Sequence, residues 1–265
     1  MVDGGWWLWV VEWKARVLMS IESQNDLRGM QHVGRVVARI LQEMEAAVRP
    51  GISTAELDGI GAAAMKRLGV RSAPQQTYGF PGFTCISVND EIVHGVPGPR
   101  RLRDGDVVKI DVTAEAAGYI ADAARTVILG PASSLALRLR AAAVAALRAG
   151  LRAARAGEPV SAIGRTVDAR ARQDGFAVVR ELCGHGVGRA IHEEPQVPNY
   201  ENPFQRDVLS RGLVIAVEPM LTARPARAIQ AADGWTIRTH NGAMAVHEEH
   251  TIVIGESTPL VLTAA

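Results

Sequence analysis

Between residues 27 and 48 apolar side chains recur at helical spacing: Leu27, Met30, Val33, Val36, Val37, Ile40, Leu41, Met44 and Val48 share one face. Pro50-Gly51 ends the pattern, which predicts an amphipathic helix. Ser53, followed three residues later by Glu56, has the form of a capping box and opens a second helix that runs towards Gly69. The period then changes. A Gly/Pro/aromatic loop at 78–82 leads to β-branched runs at 84–88 and 107–113, with Asp104-Gly105 as the turn before the second. A further strand at 119–129 ends at Gly130-Pro131. The Ala/Arg/Leu-rich run 133–156 predicts a third helix, and 161–173, closed by Gly175, a fourth. Strands follow at 177–179, 213–221, 235–238 and 243–254. Helix pair, strands, helix pair, strands: the order implies two αβ halves of similar make-up, although no repeat of residue identity marks them.

Composition sets limits on this picture. The chain has 265 residues, 48% hydrophobic and 22% charged, enough for one large core or two fused lobes. Its formal net charge is +1 and the two signs are interleaved, so it carries no electrostatic footprint for nucleic acid or for an anionic membrane. A small or locally charged substrate is expected instead. Cys85 and Cys183 stand far apart in no CxxC pattern and read as reduced thiols of a cytoplasmic protein. The opening "MVDGGWWLWVVEWKARVLMS" contains an apolar run, Trp6 to Val11, far short of the about 20 residues that span a bilayer. Asp3 in place of a cation and the lack of a small-residue cleavage site argue against a secretory signal. Residues 1–18 are expected to be an accessory extension with Met19 as the initiator; the alternative is a short aromatic strand or docking peptide.

Two histidines, His185 and His192, lie in the glycine-rich stretch "ELCGHGVGRAIHEEPQVPNY", and alone they decide little. The carboxylates say more. Asp111 interrupts the β-branched run "VVKIDVT", and Asp122 interrupts "GYIADAARTVIL". A carboxylate in a half-buried strand costs on the order of several kcal/mol unless it is paired or holds a cation. If the two strands form a hairpin through 115–118, the aspartates approach each other and must share a proton or a metal, or each must pair with an arginine such as Arg125. The second half repeats the oddity, with Glu218 closing the apolar run of "GLVIAVEPM" and Glu249 inside "AMAVHEEHTIVIG". The string "HEEH" is not the helical zinc-protease motif, because its histidines are three apart and Thr251 to Ile254 favour a strand. On a strand His247 and Glu249 share one face, Glu248 and His250 the other. Only one of the two glutamates can then join the aspartates, and alternation does not say which. Two Asp, two Glu and one or two His suit borderline-hard divalent ions such as Mn, Fe(II) or Co. Four carboxylates exceed one ion's needs; two ions about 3.5–4 Å apart would use them all and activate a bridging water as hydroxide.

The blocks "CISVNDEIVHGVPG", "DGDVVKIDVT", "YIADAARTV", "CGHGVGRAIHEEPQVPNY", "AVEPML", "DGWTIRT" and "EEHTIVI" occur in an order and spacing that resembles the type I methionine aminopeptidases. The resemblance implies an α+β pita-bread (creatinase/aminopeptidase-like) fold. In that fold a pseudo-twofold domain uses a curved antiparallel sheet, with helices on its outer face, to cradle two metals. It implies residues 1–21 as an extension, 22–257 as a single catalytic domain and 258–265 as a C-terminal tail. The ligands it implies are Asp111, Asp122, His185, Glu218 and Glu249. Asp122 and Glu249 would bridge, Asp111 would complete one ion's shell, and His185 with Glu218 the other's, which selects Glu249 over Glu248. The implied cofactor is a pair of divalent ions drawn from Co, Mn, Fe(II) and Zn. His192 is implied as the donor to the scissile carbonyl, His94 in "VHGVP" as the group near the scissile amide nitrogen, and Glu218 as the acceptor of the water proton.

The reaction so implied removes the N-terminal methionine of nascent proteins and peptides, with a small second residue preferred. Phe80, Cys85 and Trp235 align with the family's pocket for the methionine side chain, where a thioether suits a soft, aromatic-lined slot. Read alone, each is an ordinary core residue. Two positions depart from the family pattern: Ile191 precedes the second histidine where an aromatic is common, and Thr77 stands where a tyrosine is common. Proline-specific aminopeptidases and dipeptidases of the same fold usually carry a separate N-terminal domain. A type II enzyme would carry a large insertion between the glutamates, here 31 positions apart. A non-catalytic peptide-binding relative would have lost ligand positions, and all five are filled. The expected partner is the N-terminal methionine of nascent chains, with transient ribosome contact as a hypothesis and a cytoplasmic monomer as the working form.

Overall fold

The computed structural model describes residues 19–264, and the expected extension at 1–18 lies outside them. Helix α1 (Gln24–Ala47) begins at Ser23, whose hydroxyl accepts the Asp26 amide while the Asp26 carboxylate accepts the Ser23 amide. Helix α2 (Thr54–Leu68) begins with the expected Ser53–Glu56 capping box and ends at Gly69, whose φ of 71° is the left-handed conformation a helix stop uses. A two-residue strand β1 (Arg71–Ser72) and a short helix α3 (Ala73–Tyr78) follow, unannounced by any periodicity. Then come β2 (Cys85–Val88), β3 (Glu91–Val93), β4 (Val107–Ala116) and β5 (Tyr119–Ile128). β4 and β5 form the expected hairpin, turned at Ala117-Gly118, and β4 also pairs with β1 and β2. The apolar stripe of α1, including Met30, Val33, Val37 and Ile40, packs into one core with Ile110, Val112, Ala121 and Ala123 of that sheet.

The second half repeats the plan with α4 (Ser134–Ala153) and α5 (Ser161–Gln173), followed by β6 (Ala177–Val178), β7 (Cys183–Gly186) and β8 (Glu193–Pro198). β9 (Val214–Val217), β10 (Met220–Thr222), β11 (Ala228–Gln230) and β12 (Ile237–Thr239) come next. β13 (Ala245–His247), β14 (His250–Val253) and β15 (Leu260–Val261) complete it. The main sheet here has the order β15-β14-β9-β7-β8. Leu139, Ala143, Ile163 and Val167 of the helix pair bury against Val197, Ile215, Val217 and Ile252. Each half is therefore a helix pair laid on a largely antiparallel sheet.

Two expected strands are each broken in two. The run 213–221 divides at Glu218-Pro219, and the run 243–254 at Glu248-Glu249. Pro219 has no amide to give a ladder. Across from it the Glu249 amide leaves the sheet and donates to Ala124 O of β5, at 3.0 Å. The chain thus passes from the β9–β14 pair to the β10–β13 pair at the same level on both strands, and the change-over touches the first half's hairpin. At the two limits of the described residues, Met19 is buried and its amide donates to the Glu193 carboxylate. Of the expected tail 258–265, the described residues carry β15 on the edge of β14, and Leu262 is buried in the same core as α1. Among the described residues no helix is long and apolar enough to cross a membrane.

Candidate metal centre

The β4–β5 register sets Asp111 opposite Ala124 and Thr113 opposite Asp122, so the two aspartates are diagonal neighbours on one face. Burial, followed by the Asp122 charge, raises Asp111 well above the usual carboxylate range. Arg125 does not pair with either. Its guanidinium donates to the carbonyls of Ala124 and Glu249 and meets His250 Nε2 at 3.0 Å. The sequence-level alternative of an Arg125 salt bridge is thereby replaced by a backbone clamp on the second half.

Glu218 follows β9 and Glu249 precedes β14, and the register that pairs Val217 with His250 carries these two residues to the same level. Glu249 points to the aspartates, whereas Glu248 turns the other way, where its carboxylate accepts the Thr126 amide at 3.2 Å and lies 3.7 Å from Arg140. His185 arrives from β7, where the ladder slips between His185 and Gly186. A Cβ at Gly186 would collide with the Glu194 carbonyl, so this close approach needs glycine. His185 Nε2 stands 3.4 Å from Glu218 Oε1. Donor atoms of Asp122, His185 and Glu249 all lie within 4.8 Å of one another. Burial pushes Glu218 up to about 8, and Glu249 is raised well above its ordinary value by burial first and then by Asp122, Glu218 and Asp111.

Six buried polar side-chain atoms among the described residues lack a hydrogen-bond partner, and five of them are in this cluster: Asp111 Oδ1, Asp122 Oδ1, Glu249 Oε1 and both ring nitrogens of His247. Buried polar atoms are normally satisfied, and three buried carboxylates beside the half-buried Asp111 would repel if all were ionised. A donor set of this kind fits divalent cations: hard oxygens in excess, one or two imidazoles, no thiolate among the converging atoms.

Of the other predicted site residues, His94, His192 and Cys85 border the cluster, and Phe80 and Trp235 pair with each other. His94 follows β3 in the left-handed region, with φ 57°, and its half-buried imidazole is lowered to about 4, first by burial and then by His247 and His185. The turn before β3 is held from β4, because Lys109 Nζ donates to Asn89 O and the Val107 amide donates to Asn89 Oδ1. The His192 ring packs edge-on against His185 with centroids 4.4 Å apart, and its Nδ1 meets the Tyr78 hydroxyl at 2.7 Å. Phe80 and Trp235 form an edge-to-face pair with centroids 5.3 Å apart. Cys85 is buried directly across the ladder from Asp111.

Three contributors escape the sequence-level reading. Tyr78 occupies the position after Thr77, the noted departure from the family pattern, and supplies a hydroxyl to His192. Thr251 accepts the Asp122 amide and donates to the Asp122 carbonyl, at 2.9 and 2.7 Å. Asn199 donates to Glu218 O at 3.0 Å. Only Tyr78 left a sequence signal, an aromatic one place out of register; a threonine in a strand and an asparagine in a loop are too common to stand out.

The chain belongs to a class of metal-dependent peptidases, metallopeptidase family M24, whose model matches residues 28–256. Within that class it is similar to methionine aminopeptidase 2 of Bacillus subtilis (strain 168), 41% identical over 247 residues that cover 92% of this chain and 99% of that one. The crystal structure of methionine aminopeptidase from Thermotoga maritima matches with a TM-score of 0.90 at 32% identity, covering 94% of this chain and 100% of that one. Prolidase from Pyrococcus furiosus covers 94% of this chain and 66% of that one, with a TM-score of 0.73 at 20% identity, and shares the fold alone. The pita-bread fold and the metallopeptidase class are established by these likenesses.

Proposed function

We propose that this chain is a methionyl aminopeptidase, a metal-dependent exopeptidase that removes the N-terminal methionine of nascent proteins and peptides and prefers a small second residue. The observation that carries the reading is the convergence of buried, unpartnered carboxylate atoms with His185 where the two halves meet, in a chain 41% identical to a methionine aminopeptidase. Asp111, Asp122 and Glu249 would hold one divalent ion, and Asp122, Glu249, His185 and Glu218 a second, drawn from Co, Mn, Fe(II) or Zn. Such ions, when bound, supply an activated water at neutral pH and polarise a carbonyl.

The chain's own residues do the rest. Tyr78 O–H donating to Nδ1 of His192 leaves the ring proton on Nε2, which makes that nitrogen a donor to the substrate's carbonyl oxygen. A donor so placed is worth about 10²–10³ in rate as negative charge develops there. Glu218 takes the proton of the attacking water and later gives it back. His94, neutral at pH 7, faces the scissile amide nitrogen and helps deliver that proton to the leaving amine. Phe80, Trp235 and Cys85 receive the thioether side chain. The substrate's free amine completes the recognition, so acetylated or formylated chains are not cleaved. The enzyme works as a cytoplasmic monomer with transient ribosome contact, and a sedimentation assay without co-migration would remove the latter.

The proline-peptidase alternative has less support, since the prolidase likeness stands at 20% identity. The decisive assay incubates metal-stripped protein with Met-Gly-Met-Met and Ala-Pro peptides and restores Co, Mn, Fe(II) or Zn in turn. Metal-restored release of methionine alone supports the reading. Cleavage only before proline would replace it with a proline peptidase, and no cleavage with any metal would favour a non-catalytic peptide-binding relative.

A further inference from the structure

His247 stands two residues before Glu249, and strand alternation brings both side chains to one face. Its imidazole is among the most buried polar groups of the molecule, at 2% exposure. Nε2 lies 3.5 Å from Glu218 Oε2 and 3.8 Å from Glu249 Oε2, and neither ring nitrogen has a hydrogen-bond partner. Glu218 is thus flanked by two imidazoles, with His185 on Oε1 and His247 on Oε2.

Its backbone is clamped as deliberately as that of a ligand candidate. The His247 amide donates to Thr126 Oγ1 at 3.0 Å, and that hydroxyl donates back to the His247 carbonyl at 2.8 Å. Thr251 grips Asp122 in the same reciprocal way. The two clamps cross between the halves: a threonine of β5 holds His247, and a threonine of β14 holds Asp122.

We infer that His247 is a positioning residue of the metal centre, its Nε2–H turned towards the Glu218 carboxylate with Glu249 Oε2 as the next acceptor, the donation closing once ions draw the carboxylates together, so that both glutamates are presented to the ions in fixed orientation. The inference rests on the two-metal reading above. His185 Nδ1 donates to the Gly186 carbonyl at 2.9 Å, which leaves its Nε2 unprotonated and able to ligate. No carbonyl claims the His247 Nδ1 proton, and its Nε2 is left to carry it towards the glutamates; a protonated nitrogen does not ligate. Carboxylate ligands are commonly oriented by such outer partners, whose loss costs about 10–100-fold in metal affinity.

The test compares the full chain with His247→Ala and His247→Gln, titrating Mn(II) by calorimetry and recording the visible absorption of the Co(II)-loaded protein. The expected result is an about 10–100-fold weaker second Mn(II) site in His247→Ala, most of it regained by the amide donor of His247→Gln. The absorption of fully loaded Co(II) protein stays unchanged, because the ligand set is unchanged. Affinities within about twofold of wild type in His247→Ala would overturn the inference, below the scale of outer-partner effects. An altered Co(II) band at full loading would overturn it as well, by making His247 a ligand. Should His247→Ala fail to fold, Thr126→Val frees the same strand without touching a carboxylate, and an undiminished affinity there would count against the inference. Wild-type protein that takes up fewer than two ions would overturn the two-metal reading itself, a different outcome from equal affinities in wild type and variant.

Discussion

The two halves deliver their acids by different means. Asp111 and Asp122 stand on an unbroken hairpin whose ladder runs from Val107–Ile128 to Ala116–Tyr119. Glu218 and Glu249 stand at a gap, where β9 gives way to β10 and β13 to β14. A continuous ladder spaces side chains by the pleat and leaves little freedom in where a carboxylate goes. A gap frees backbone groups for other partners, and the freed Glu249 amide reaches across to Ala124 of the other half. One half therefore supplies a rigid platform and the other a pair of acids at a break, stitched to it by Thr251, Thr126 and Arg125.

The largest effect expected from breaking this arrangement comes from the acids themselves. Asp111→Asn on the platform and Glu249→Gln at the gap should each lower metal-dependent methionine release by more than about 100-fold, beyond the about 10–100-fold typical of outer partners. Retained metal-dependent cleavage in either variant would undo the ligand assignment. Next comes the stitch between the halves: Thr251→Val strands the buried Asp122 amide, at a cost of about 1–3 kcal/mol seen as a lower denaturation midpoint. An unchanged midpoint would mean that the halves do not depend on this contact.

A smaller effect is expected at Tyr78, whose hydroxyl contributes one hydrogen bond to His192. Tyr78→Phe should lower kcat by about 2–10-fold, the equivalent of about 0.5–1.5 kcal/mol, and leave the metal affinity unchanged. Steady-state kinetics with a Met-Gly peptide would show it. The smallest is a slope with pH. Glu218, raised to about 8, and Glu249, raised well above its ordinary value, bind protons in the folded metal-free protein that the unfolded chain has already lost. Stability therefore falls as pH rises towards 8. His94, lowered to about 4 from 6.5, acts in the opposite sense below about 6.5. Lys109, lowered to about 7 from 10.5, does so above about 7, where the two glutamates together outweigh it. Between about 6.5 and 8 the metal-free melting temperature should thus decline, and added Mn(II) should remove the decline because bound cations already hold the carboxylates ionised.

Much of this was legible in the sequence, for reasons that differ by region. The helices are written in the α1 stripe and in the Ser53–Glu56 box, and they appear close to the expected limits. Asp111 and Asp122 stand out because an acid among β-branched residues has no ordinary reason to be there. The break at Glu218-Pro219 was not foreseen, although Pro219 forbids one ladder bond, because an apolar run reads as one strand until its pairing is known. The choice between Glu248 and Glu249 came from the family resemblance alone, since alternation fixes relative faces and not which face is inward. His247 and Thr251 stayed hidden because their roles come from cross-strand register, which links residues more than a hundred positions apart. β15 was passed over because its two residues carry no period, and only the edge of β14 makes them a strand.

The central claim is that platform and gap together hold two ions bridged by shared carboxylates. It is tested most directly by the electron paramagnetic resonance of the protein loaded with increasing Mn(II). The account predicts uptake of two ions per chain and, at full loading, a spin-coupled signal that Glu249→Gln abolishes. A single uncoupled six-line Mn(II) signal at saturation, unaltered by that substitution, would contradict it.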